Sequence, residues 1–187
     1  MEHGLGADWF VCLEGVTLKT RSKDRGVPDP HAPWNEITTG LWMGGHQWTD
    51  PSGDRHAAVV GTEFGLVISL FSRPGHGPGP GIEHLVAEMP DRPLTAEQIH
   101  AVQQLARTAA RAVRDGRTVL VRCHSGYNRS GLVVAQALIE LGWETTTAVE
   151  TIRRNRSPFA LHNRIFEEYL TTGLDVAQLL IGLDTLT

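Results

Sequence analysis

The sequence predicts an α/β fold, a central sheet flanked by helices, in which a tight loop joins a central strand to a buried helix. Three observations carry that prediction. Gly65 to Phe71 (Gly-Leu-Val-Ile-Ser-Leu-Phe) is a continuous apolar run of the kind found in strands covered on both faces. Thr118 to Val121 favours a strand and leads directly into Arg-Cys-His-Ser-Gly-Tyr-Asn-Arg-Ser-Gly, after which Gly131 to Leu141 is an almost wholly apolar helical segment. Thr95 and Gln98 stand at capping-box spacing and open a long helix between the two strands.

Taken in order, residues 1–36 mix Trp9-Phe10-Val11 with a charged, Pro-containing stretch and read as an N-terminal arm, with one strand or packed aromatic anchor at most. Residues 37–187 form the main domain. Ile37 to Gly45 reads as a short strand ending in glycines. Residues 73–81 (Arg-Pro-Gly-His-Gly-Pro-Gly-Pro-Gly) hold neither helix nor central strand, because glycine entropy and missing proline donors oppose both. They are a loop, either bordering a pocket or crossing open surface. Glu83 to Met89 is a further strand. The helix opened by Thr95 runs to about Arg114, and Asp115-Gly116 ends it. Thr147 and Glu150 suggest a second capping box before a helix stopped at Pro158. Asn163 to Thr171 with Gly173 behind it gives another helix, and Asp175 to Leu183 a last one.

Composition narrows the function classes. A chain of 187 residues with 41% hydrophobic content builds one core. A formal charge of −4 lacks the basic surplus with which nucleic-acid binders neutralise phosphates, so no nucleic-acid partner is expected. The two cysteines, Cys12 and Cys123, form no CxxC pair or disulfide framework, which fits a reducing compartment. Cys12, in an apolar segment, reads as a small hydrophobe. The N-terminus has no signal-peptide pattern and no apolar run approaches membrane-span length, so the expectation is a cytoplasmic protein without a membrane partner. The nine histidines show no HExxH-like ligand spacing, so no metal is expected. The charged run Arg153, Arg154 and Arg156 at a helix end reads as a solvated face, with recruitment of a phosphorylated partner as the alternative.

The chemistry is concentrated in one loop. Five residues separate Cys123 from Arg129, and a loop that short at a helix N-terminus aims its amides at a single anion. The same field favours thiolate over thiol, which makes Cys123 the candidate nucleophile. Arg129 offers a planar fork for two phosphoryl oxygens. Gly126 allows a positive φ or a close approach, and Ser130 can donate its hydroxyl to the Cys123 sulfur. His124, Ser125, Gly126, Tyr127 and Asn128 form the candidate substrate-binding wall, by side chain or by backbone amide. Expelling an alkoxide or phenoxide also needs a proton donor. Asp91, on a Pro-flanked loop after a strand, is the candidate, since Glu83 and Glu88 lie within the strand and Asp115 ends a helix.

Cys123-(five residues)-Arg129-Ser130 resembles the signature of the protein tyrosine phosphatase superfamily, and its surroundings resemble the compact dual-specificity branch. Ile37 to Gly45 is similar to that branch's early Ile-x-x-Gly-Leu-x-x-Gly strand, Asp91 lies at about the position of its general acid, and Ile152 to Arg156 is similar to its late helix. Asn163 is similar to an Asn further on; a plain helix start is the other reading. The likeness spans about residues 37–170. It implies a mostly parallel central sheet and hydrolysis of phosphotyrosine, and of phosphoserine or phosphothreonine, through a phosphocysteine intermediate, with no cofactor and with a phosphorylated protein or small phosphate ester as substrate. One position departs: the family has His before the nucleophile, and here it is Arg122.

Three other readings differ in what they need. Inositol and phosphoinositide phosphatases often carry extra basic residues inside this loop, and residues 124–128 contain no Lys or Arg. A non-catalytic phosphate-binding module would keep the loop without turnover, and Arg122 is the only feature in its favour. Sulfur transfer by a rhodanese-like loop usually has one residue fewer between Cys and Arg.

Overall fold

The computed structural model of the protein describes residues 27–184. Cys12 and the aromatic anchor expected around Trp9 lie outside them. The chain builds a five-stranded sheet from β1 (Trp34–Thr38), β2 (Leu41–Gly44), β5 (Leu66–Ser69), β6 (Glu83–Val86) and β7 (Val119–Arg122), in the order β1-β2-β7-β5-β6. Only β1 runs antiparallel, to β2; the β2-β7, β7-β5 and β5-β6 pairs are all parallel. The segment read as one strand is thus a hairpin, reversed at Gly40, whose φ of +80° fits glycine without strain. β5 and β7 are buried at every position, the signature of strands covered on both faces.

The described residues form five helices, α1 (Ala96–Arg114), α2 (Asn128–Glu140), α3 (Thr145–Asn155), α4 (Arg164–Thr172) and α5 (Leu174–Asp184), of which α1, α2 and α3 pack on the sheet and α4 and α5 on the other helices. α1 opens on the expected capping box, with Thr95 and Gln98 bonding each other's backbone N–H. It buries Ile99, Val102, Ala106, Ala109 and Ala110, and small residues there let it lie close to α2. α2 is the central helix, with Leu132, Val133, Val134, Ala135 and Leu138 fully buried.

One expectation changes, and two features are added to the reading. α3 starts at Thr145 behind Glu144, without a side-chain cap, so Thr147 and Glu150 sit inside the helix and form no box. The chain re-enters helix as soon as Gly142 has turned it, because Ala148, Val149 and Ile152 must reach the core. A small second sheet, β3 (Gln47–Thr49) with β4 (Arg55–Ala57), has no apolar alternation to announce it. The first strand also begins at Trp34, within the segment read as an arm, and Val27 already packs on the core. The glycine-rich stretch 73–81 is irregular, as expected.

The α1 cap has a measurable effect. Thr95→Ala removes a neutral capping bond at an exposed helix start and lowers stability by about 1 kcal/mol, read from urea denaturation.

Candidate functional site

β7 ends at Arg122 and α2 begins at Asn128, so residues 123–127 form a loop at the carboxyl edge of a central parallel strand. That is where open α/β sheets hold ligands. Tyr127, the N-cap residue of α2, makes no side-chain cap bond, so its side chain leaves the first-turn amides uncapped. Gly126 takes φ +74°, and a Cβ there would strike the Gly44 carbonyl and stand 2.7 Å from the Arg156 guanidinium. Gly45 is as constrained, since its Cβ would stand 2.8 Å from the Ser125 carbonyl carbon. The loop is therefore pressed against the glycines that end β2, and bonds from Cys123 N to Gly44 O (3.2 Å) and from His46 N to His124 O (2.9 Å) stitch the two together.

Cys123 is buried, its Sγ 3.4 Å from Ser130 Oγ. Arg129 reaches over the edge of the sheet: Nη1 donates to Met89 O (3.0 Å), and the guanidinium carbon lies 5.8 Å from the Phe71 ring centre. Its Nε is buried with no hydrogen-bond partner among the described residues. Asp91 is exposed but fixed, Oδ2 accepting from Asn128 Nδ2 (3.0 Å) and Oδ1 from Asn163 Nδ2 (2.8 Å). Asn128 Oδ1 accepts in turn from Asn163 N (3.1 Å), so one amide of the loop links the acid to the start of α4. The structure thus brings Cys123, Arg129, Ser130 and Asp91 to one end of the sheet.

The wall residues divide. Tyr127 is buried, its hydroxyl donating to Pro28 O (3.0 Å), and burial pushes the phenol pKa up. The side chains of Tyr127 and Asn128 are thereby committed to packing and to Asp91. His124 and Ser125 are half-buried and touch through Nδ1 and Oγ at 3.2 Å.

Two further arginines shape the site. Arg156 is not on a solvated face: it is 8% exposed and lies under the loop, bonding Gly126 O (3.1 Å), Ala32 O (2.9 Å) and Asn35 Oδ1 (2.7 Å). Burial lowers its pKa to about 10. Arg153 also turns inward, to Ala160 O, Leu161 O and Glu167. Arg122, 1% exposed, points away from the loop, donating to Ser69 Oγ (2.9 Å) and His76 O (2.6 Å). It braces the glycine-rich stretch against β5. Burial lowers its pKa to about 10 as well. An inward arginine leaves no signal in local sequence, because its spacing matches that of an exposed one.

The fold compares with solved structures as follows. Human DUSP28 is 23% identical, with 81% of this chain and 97% of that chain covered and a TM-score of 0.58. OH1 of Orf virus, described as a tyrosine phosphatase with triple substrate specificity, is 17% identical over 79% of this chain and 91% of its own, with a TM-score of 0.56. Tk-PTP in its active form is 20% identical over 76% and 95%, with a TM-score of 0.53. The chain has the fold of the dual-specificity and tyrosine phosphatases. No family model and no curated protein sequence matches it.

Two outcomes follow. Arg156→Met leaves the Gly126 carbonyl without its buried donor and costs roughly 3 kcal/mol of stability, read from urea denaturation. Burial, then the charge of Arg122, pushes His46 from its ordinary 6.5 down to about 4. The unfolded chain therefore holds more protons between those values, and stability falls as pH drops from about 6.5 towards 4, by up to roughly 3 kcal/mol from this group. His46→Asn flattens that part of the stability profile; an unchanged slope would assign it to other groups.

Proposed function

We propose that the protein is a cysteine-dependent phosphatase that hydrolyses phosphotyrosine, and phosphoserine or phosphothreonine, in a phosphorylated protein or small phosphate ester. The observation that carries the reading is a convergence: Asp91, remote in sequence, is hydrogen-bonded to Asn128, at the start of the α2 turn that follows Cys123 and holds Ser130 and the buried Nε of Arg129, which has no partner among the described residues. A phosphoryl oxygen is the acceptor that Nε lacks.

In the proposed reaction the Cys123 thiolate attacks phosphorus. A P–S bond forms as the P–O bond to the substrate oxygen breaks, and Asp91 gives that oxygen its proton. Water then attacks the phosphocysteine, losing its proton to the Asp91 carboxylate while the P–S bond breaks. Ser130 donates to the departing sulfur at a separation already close, 3.4 Å. Arg129 and the first-turn amides of α2 hold the equatorial oxygens as charge moves onto them. Loop carbonyls are kept from facing that anion because Arg156 takes the one on Gly126 from below. None of these steps calls for a metal, and a free thiol nucleophile suits a reducing compartment such as the cytoplasm. The phosphoinositide reading has no support inside residues 124–128.

The test is hydrolysis of an aryl phosphate and of a phosphotyrosine peptide, in the presence of a chelator, between pH 5 and 8. Wild type turns over. Cys123→Ser abolishes turnover, Arg129→Lys lowers kcat by about 10² to 10³, and Asp91→Ala lowers it by about 10² to 10⁴. Folded wild type that binds phosphopeptide without hydrolysis would replace this reading with a binding module.

A further inference from the structure

Asp91 is held on both oxygens by amides whose own orientation is fixed. Oδ1 accepts from Asn163 Nδ2 (2.8 Å) and Oδ2 from Asn128 Nδ2 (3.0 Å). Which end of each amide faces the carboxyl group follows from its other bonds. Asn163 Oδ1 accepts from Ile165 N (3.1 Å) in the first turn of α4, so Nδ2 is the end left for Asp91. Asn128 Oδ1 accepts from Asn163 N (3.1 Å), so its Nδ2 also turns to the acid.

His162 takes the second hydrogen of the Asn128 amide. Its Nδ1 lies 2.7 Å from Phe159 O, and a carbonyl only accepts, so Nδ1 carries the proton. Nε2 of the neutral ring, 3.1 Å from Asn128 Nδ2, is therefore an acceptor. Asn128 is 4% exposed. Turning its amide over sets Oδ1 against two acceptors and Nδ2 against a backbone N–H, and all three bonds are lost together. Asp91, by contrast, is exposed, on a turn between Pro90 and Pro93. The prolines restrict its backbone, and the two amides choose its rotamer.

Neutral donors suit a group that must both give and take a proton. Each carboxyl oxygen has two lone-pair positions and gives one to an amide, so one on each is left for the travelling proton. An amide donates to that oxygen whether or not the group is protonated, whereas a Lys or Arg in its place favours the carboxylate alone.

We propose that Asn128, braced by His162 and Asn163, is a positioning residue for the general acid and sets how poor a leaving group the protein can expel. The inference rests on the phosphatase reading and deepens it. A nitrophenolate leaves phosphorus with little help from a proton. A phenolate or an alkoxide, the leaving groups of phosphotyrosine, phosphoserine and phosphothreonine, depends on an acid already in line. A misplacement of about 1 Å is enough to cost on the order of 10²-fold.

The experiment measures kcat/KM for para-nitrophenyl phosphate and for phenyl phosphate with wild type, Asn128→Ala, Asp91→Ala and the double variant. This constant ends at the first irreversible step, the breaking of the P–O bond, so the later work of Asp91 on water does not enter. The nitrophenyl-to-phenyl ratio is expected to rise about tenfold in Asn128→Ala and further in Asp91→Ala, and to go no higher in the double variant than in Asp91→Ala. A merely structural contribution lowers both esters alike and leaves the ratio where it was. Asn128→Asp keeps the size of the side chain and the acceptor for Asn163 N but has no amide hydrogen, and it gives the same rise if the alanine protein does not fold. His162→Phe, which removes only the brace, moves the ratio in the same direction by less. An unchanged ratio in whichever Asn128 variant folds, or an added rise in the double variant, overturns the positioning role and leaves the phosphatase reading standing, because wild type still hydrolyses both esters. Folded wild type that hydrolyses neither ester overturns both.

Discussion

One buried guanidinium holds the loop in shape. Arg156 lies under residues 125–126 and collects Gly126 O, Ala32 O and Asn35 Oδ1, three acceptors from two stretches of chain. A loop that turns its amides towards an anion must turn carbonyls the other way, and in a dry interior those carbonyls need donors. Arg156 supplies them from a single rigid fork. The same contacts draw in the segment before β1, so the sheet edge, the loop and α3 are assembled as one unit.

The charge arrangement follows from how the arginines are neutralised. Arg156 and Arg122 are both buried, and their bonds run to carbonyls, an amide oxygen and a hydroxyl rather than to carboxylates. Neutral acceptors satisfy the N–H groups without cancelling the charge. A chain of net charge −4 thereby concentrates positive potential at one end of its sheet. Burial lowers the pKa of both, yet at about 10 each remains a cation at neutral pH. Arg122, directly before Cys123, turns to β5 and anchors the glycine-rich stretch through His76 O. Support for the loop comes from Arg156 and from Gly44 and Gly45.

Legibility varied with the range of the forces involved. The α1 cap was readable because its partners are three residues apart, and the covered strands β5 and β7 because burial on both faces demands unbroken apolar side chains. The second capping box had the right letters but lay inside a helix whose start was set by the turn at Gly142 and by core contacts. The β3-β4 hairpin carries polar and exposed residues and left no periodic trace. Asn128 read as one more wall residue, whereas its amide links Asp91 to Asn163.

By itself the sequence determined the order of strand, loop and helix and the residue types within the loop, since these depend on neighbours along the chain: a thiol and a guanidinium with five residues between them, at the start of an apolar helix. It also determined the α/β class, because the length and apolarity of each segment set how it must be covered. Only the tertiary structure decided which arginine lies under the loop and which amides hold Asp91. Those outcomes depend on long side chains meeting partners as far as 124 residues away in the chain. A side chain of that reach has the same local pattern whether it ends in solvent or in the core, and packing alone chooses between them.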